Sequence, residues 1–186
     1  MLDDAQLKET YVSGERLYTG AILNLERWQV KLPSGETAPR EIVLHQGAAG
    51  IVPVDDQGRV ILVRQYRTAI EDFTWEIPAG KLDKPGEDTL ECAKRELGEE
   101  TGCTAARWQL LTRMVASPGF TNERIALYLA TALQSGNEHP DQDEFITAKA
   151  FPLAEAVAMV ERGDLRDAKT CLALLLAEKA LKGRRA

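Results

Sequence analysis

The chain lacks any apolar run long enough to cross a membrane. Its longest candidate, residues 171–177, covers about two helical turns, where a span needs roughly 18 residues or more. Residues 1–10 carry Asp3, Asp4 and Glu9 and hold no apolar stretch, so no secretory signal is expected. Cysteine is sparse and unpaired in pattern: Cys92, Cys103 and Cys171 are odd in number and form no CxxC. That excludes a disulfide framework and makes a reducing cytoplasm the expected setting. Histidine is scarcer still, and neither His45 nor His139 has a partner at metal-ligand spacing. Positive charge is also short. Lys and Arg number 23 against 29 Asp and Glu, a net charge of −6, with little basic clustering outside residues 182–185. Functions that rest on Lys and Arg, such as binding nucleic acid or an anionic membrane, are therefore not expected. No repeat and no low-complexity segment is visible.

What is present is globular. Of 186 residues, 44% are hydrophobic and 28% charged, enough for one domain of ordinary size with a core. The first 45 residues read as β-structure, with strands expected over 18–25, 26–32 and 39–44 and a turn at 31–36. Asp55-Asp-Gln-Gly58 joins two apolar strands, 50–54 and 59–67, in a hairpin pattern. A short strand at 73–78 leads into a Gly-, Pro- and Asp-rich loop over 79–86. Strands are expected again over 107–115, 125–133 and 145–151, and amphipathic helices over 153–162 and 167–181. Strands and helices interleave without a βαβαβ rhythm, which predicts a mixed sheet packed against helices.

The most informative helix begins after Asp88. This residue is a good N-cap, Glu91 stands at capping-box spacing from it, and Gly102 occupies the place of a C-terminal glycine. Leu90, Ala93 and Leu97 form a narrow apolar stripe. Beside it Glu96, Glu99 and Glu100 fall within an arc of about 100°. Three carboxylates so close repel one another, and partial burial raises the cost. A hard divalent cation removes that cost, because carboxylate oxygens are the ligands it prefers. The negative end of the helix dipole adds to the attraction. Taken alone, an acidic cluster of this kind is most often a solvated face.

The wider pattern decides between these readings. Gly80, Glu87 and Arg95-Glu-Leu-Gly-Glu-Glu-Thr-Gly102 resemble the Nudix box, Gly-x5-Glu-x7-Arg-Glu-U-x-Glu-Glu-x-Gly-U, with U aliphatic. Two positions depart from it: six residues separate Gly80 from Glu87, and Cys103 takes the last aliphatic place. The extra residue is expected to lengthen the loop without shifting the helix. The resemblance implies a Nudix fold, an α/β/α sandwich with a mixed sheet, and hydrolysis of a nucleoside diphosphate linked to another group with Mg²⁺ or Mn²⁺. It implies Glu96 and Glu100 as principal metal ligands, Glu99 as a further one, and the Ala79 carbonyl as a backbone ligand. Arg95 is implied to tie the loop to the helix with Glu87. Ions in such a site neutralise the diphosphate and lower the pKa of a bound water.

Pro118, fifteen positions after Cys103, resembles a mark of the ADP-ribose pyrophosphatase branch. So do Val63-Arg-Gln-Tyr-Arg67, Trp75-Glu-Ile-Pro-Ala-Gly80 and Gly163-Asp-Leu-Arg-Asp-Ala-Lys-Thr170. ADP-ribose is thus the expected substrate, with GDP-mannose or another nucleotide sugar as the alternative. Arg64 and Arg67 are candidates to grip the diphosphate, since a guanidinium fork matches phosphate oxygens. Glu76 is a candidate acceptor for a ribose or base hydroxyl, and Trp28 and Phe120 are candidates for base stacking. The branch draws its general base from an acidic loop beyond the box. Alignment favours Glu144, with Asp141 and Asp143 open, and the implied catalytic set is Glu144, Glu99 and Arg95. The fold needs residues 46–186. The β-rich segment 1–45 exceeds it, and the resemblance implies a homodimer in which this segment is swapped and completes the partner's pocket. A sensor that binds without hydrolysis would lack the acids of the box, and an RNA-end hydrolase would need a basic channel.

Overall fold

The computed structural model describes residues 3–82, 86–136 and 145–183. Two compact units are present, Met1–His45 with Val115–Glu123, and Gln46–Met114 with Arg124–Ala186. The first begins with a short helix α1 (Asp4–Leu7), capped by Asp3, which the sequence pattern did not suggest. A three-stranded antiparallel sheet follows: β1 (Thr10–Thr19), β2 (Asn24–Lys31) and β3 (Thr37–Leu44), with β2 in the middle. Residues 18–25 are not one strand: Tyr18 and Thr19 end β1, Asn24 and Leu25 begin β2, and 20–23 turn between them. Gly20 N donates to Leu23 O at 2.8 Å, and Ile22 and Leu23, the apolar residues that suggested a strand, are exposed. Residues of the 115–123 segment join this unit through Val43 N donating to Phe120 O at 2.7 Å and His45 N to the Asn122 side chain at 2.7 Å.

The second unit is built on β4 (Ala48–Pro53), which lies between two partners. On one side is the antiparallel β7 (Ala79–Lys81); on the other the parallel β9 (Arg124–Ser135), itself flanked by β8 (Cys103–Val115). The strand β7 replaces the start of the expected loop. A second sheet places β5 (Arg59–Arg67) between β6 (Asp72–Glu76) and β10 (Thr147–Pro152), all antiparallel. Three helices complete the unit: α2 (Thr89–Thr101), α3 (Leu153–Arg162) and α4 (Ala168–Lys182).

Side chains on β4 and β9 alternate between two apolar clusters, as period-2 geometry requires. Ala48, Val52, Leu127 and Leu129 join Ala156 and Val157 of α3 and Ala173, Leu174 and Ala177 of α4. Ala49, Ile51, Ala126 and Tyr128 join Cys92, Ala93 and Leu97 of α2. A mixed sheet held between helices is the α/β/α sandwich expected from the sequence. It sets α2 on one face and α3 and α4 on the other.

Candidate active site

Helix α2 is fixed at both ends by the residues that mark it in the sequence. Asp88 accepts from Leu90 N at 2.8 Å and Glu91 N at 3.2 Å. Gly102 closes the helix with φ 65°, a conformation that favours glycine, and its N–H donates to Gly98 O at 2.9 Å. The second half of the expected capping box is not made: the Glu91 carboxylate pairs with Lys94 at 2.7 Å instead. Cys92 is fully buried beside Ala93 and Leu97, so the apolar stripe is wider than its leucines suggest.

The three glutamates do not share one environment. Glu96 and Glu100, one turn apart, are buried at 8% and 5% exposure, while Glu99 is half-buried. Glu100 Oε2 accepts from Ala79 N at 3.1 Å. The Glu96 carboxylate lies directly against Gly80: a methyl group there would stand 1.8 Å from Glu96 Oε1. The glycine of the motif is thus the space into which a carboxylate fits. Arg95 Nη1 bridges Glu96 Oε1 at 2.7 Å and Glu99 Oε2 at 2.8 Å, and Nη2 donates to Lys81 O at 3.2 Å. One guanidinium therefore ties the helix to the strand beyond Gly80.

The segment from Glu76 to Gly80 is pinned residue by residue. Ile77 N donates to the fully buried Thr170 Oγ1 at 2.9 Å, and Pro78 O accepts from Ile51 N at 2.8 Å. Thr170 Oγ1 in turn donates to Asp167 Oδ2 at 2.5 Å, and Asp167 caps α4 by accepting from Thr170 N at 3.0 Å. Two motifs far apart in sequence, Glu76–Gly80 and Asp167–Thr170, thus form one structure. Sequence reasoning marked both but did not pair them.

Glu76 is buried at 3% exposure and accepts from Arg67 through both oxygens, each at 2.7 Å. Thr74 Oγ1 donates to it at 2.5 Å, and Lys169 Nζ is a further donor. Burial alone pushes this carboxyl upward. The Arg67 hydrogen bonds, the Lys169 charge and hydrogen bond and the Thr74 hydroxyl outweigh it and hold the pKa at about 2. The Arg67 guanidinium is raised by the hydrogen bond to Glu76 against its own burial, with the charges of Glu76, Asp167 and Glu100 adding to the effect. Arg67, Thr74, Glu76, Arg166, Asp167 and Lys169 are among the residues that line a cleft of about 490 Å³.

Arg64 points away from this group and lies over Phe73 and Trp75, 4.8 and 5.9 Å from the ring centroids. Trp28, Pro118 and Phe120 belong to the other unit. Trp28 Nε1 donates to Glu26 Oε2 at 2.7 Å and its ring meets Tyr11 edge-on at 5.2 Å; Phe120 is exposed. Glu144, Asp141 and Asp143 lie outside the described residues. Among the described residues no three His, Cys, Asp or Glu side chains converge as a metal cluster. The donor chemistry nevertheless fits a hard divalent cation: two buried carboxylates one turn apart, set against the Ala79–Gly80 backbone.

The chain belongs to the NUDIX domain family, whose model matches residues 44–174. It is 39% identical over 170 residues to an ADP-ribose pyrophosphatase of Bacillus subtilis (strain 168), covering 90% of this chain and 91% of that one. An ADP-ribose pyrophosphatase of Mycobacterium tuberculosis (strain ATCC 25618 / H37Rv) is 43% identical over 156 residues, covering 83% and 75%. The crystal structure of an ADP compounds hydrolase superimposes with a TM-score of 0.83 at 26% identity, over 95% of this chain and 96% of that one. No helix among the described residues is long and apolar enough to cross a membrane.

Proposed function

We propose that this protein hydrolyses the diphosphate of ADP-ribose to AMP and ribose 5-phosphate. The observation that carries the reading is the seating of Glu96 and Glu100 against the Ala79–Gly80 backbone. Supporting it are the named activities of relatives that span nearly the whole chain. Mg²⁺, or Mn²⁺, is the proposed metal, held by Glu96, Glu100 and the Ala79 carbonyl with Glu99 at the margin. When bound, such an ion neutralises the diphosphate and makes water a stronger nucleophile. The protein's own part is positional. Glu100 fixes the Ala79 amide, Gly80 gives Glu96 its space, and Arg95 braces the helix against Lys81. Glu144 is the proposed base that takes a proton from the attacking water as one P–O bond forms and the bridging P–O bond breaks.

A homodimer is proposed as well. Tyr11, Val12, Tyr18 and Ile22 of the first unit are all more than half exposed, an apolar surface that a second copy would cover. Nothing in this reading calls for nucleic acid or a membrane. A cytoplasmic setting accords with three cysteines that form no disulfide. The test is kcat/KM for a panel of nucleoside diphosphate sugars with Mg²⁺. ADP-ribose is expected to lead, and a clear lead for GDP-mannose would overturn the substrate. Glu100→Gln keeps an oxygen for Ala79 N but removes the charge. Turnover within a few-fold of wild type would refute the metal assignment.

A further inference from the structure

We propose that Lys169 is a positioning residue for this reaction, setting the Arg67 guanidinium through Glu76. The inference rests on the proposed function only in taking a nucleoside diphosphate as the ligand that Arg67 meets.

Along β6, Asp72, Thr74 and Glu76 share one face, and Arg67 at the end of β5 is paired with Asp72 in register. Glu76, which pairs with Val63, receives Arg67 side-on. Nε donates to Oε1 and Nη2 to Oε2, which is the two-point fork that fixes the plane of a guanidinium. Among the described residues Arg67 Nη1 makes no hydrogen bond, and the side chain is 43% exposed on the cleft. Among the described residues the Glu76 carboxylate is the hydrogen-bond partner of this guanidinium, and it sets the orientation of that remaining donor.

Lys169 fixes the carboxylate in turn. Its Nζ donates to Oε2, the oxygen that Nη2 also uses, and it is held from behind by Asp167 at 3.0 Å. Asp167 cannot follow a moving lysine, because it caps α4 through Thr170 N and Thr170 Oγ1. Arg67 and Lys169 balance Glu76 and Asp167 in charge, but holding Lys169 at 14% exposure on a carboxylate that the arginine already forks costs desolvation and rotamer freedom. Its geometric effect is to stop the carboxylate from rotating about its own axis, and so to stop Arg67 from swinging across the cleft.

The experiment is a double-mutant cycle on Lys169→Met and Arg67→Met. It is read as KM and kcat for ADP-ribose with Mg²⁺, and as the calorimetric Kd of ADP-ribose in EDTA. Lys169→Met alone is expected to raise KM and Kd about tenfold with kcat within about threefold, since binding is lost uniformly. In the Arg67→Met background the same substitution is expected to change neither by more than about twofold, because its effect travels through Arg67. Lys169→Gln, which keeps a donor for Oε2, is expected to recover most of the loss. Effects that multiply in the double variant, or an unchanged KM and Kd in Lys169→Met, would overturn the proposal. If either variant fails to fold, Lys169→Ala and Arg67→Gln form the cycle under the same criteria. Wild-type binding without hydrolysis would overturn the proposed activity and leave this coupling standing. Hydrolysis with independent effects would do the reverse.

Discussion

Replacing Gly80 by alanine separates the site from the fold. The new methyl would stand 1.8 Å from Glu96 Oε1, 2.0 Å from Cδ and 2.5 Å from Oε2. Ordinary contact requires the carboxylate to retreat by about 1.5 Å. The obstacle is the far end of a flexible side chain, so the backbone need not move. Glu96 takes a poorer rotamer and gives up its 2.7 Å contact with Arg95, which together cost about 1–3 kcal/mol. The fold survives such a loss, but the displaced oxygen belongs to a proposed metal ligand. Metal affinity is expected to fall on the order of a hundredfold, with activity following. Mn²⁺ titration by calorimetry, ADP-ribose turnover against metal concentration and a thermal melt together give the answer. Metal affinity and kcat/KM within about threefold of wild type in a folded Gly80→Ala protein would show that the position of Glu96 does not govern the site.

Two further outcomes follow from the buried polar groups. Thr170→Val leaves Ile77 N–H without its acceptor and takes one of three donors from Asp167, at a cost of about 1–3 kcal/mol by denaturant titration; an unchanged midpoint would refute the pinning described for this strand. The folded-state pKa of Glu76, about 2, lies below its ordinary 4.5, so its contribution is fully present above pH 4.5 and lost as pH falls toward 2. The stability gap between wild type and Glu76→Gln is expected to narrow over that window by up to about 3 kcal/mol, and a gap that stays constant from pH 6 to pH 2.5 would contradict the assignment.

Local signals carried the helices well. The helix at 153–162 has the bounds read from its periodicity, and Asp88 and Gly102 cap α2 where their residue types put them. Short or irregular elements were less legible. Strand β7 is three residues long, too short to show alternation, and Ile22 and Leu23 are apolar yet sit in a turn. The site was legible as composition on one helix, but not as environment. Sequence spacing treats Glu96, Glu99 and Glu100 alike, whereas the approach of Ala79 and Gly80 buries two of them. The Arg67–Glu76–Lys169 group was out of reach, because Glu76 and Lys169 lie on elements that only the tertiary fold brings together. The loop expected to hold the motif's extra residue includes 83–85, which lie outside the described residues; before it Lys81 O and Leu82 N are hydrogen-bonded, and after it Asp88 caps α2.

The parallel pairing of β4 with β9 bears on how the chain reaches its native state. Ala48 pairs with Ile125, and the chain between them contains β5, β6, β7, α2 and β8. Contacts so distant in sequence carry a large loop-closure cost and form slowly. Strand β7, with Ala79 and Gly80, is held on the other edge of that same β4. A chain stalled before this closure has a helix bearing Glu96 and Glu100 and no firm strand to seat them against. The site is in that sense a reporter of complete folding.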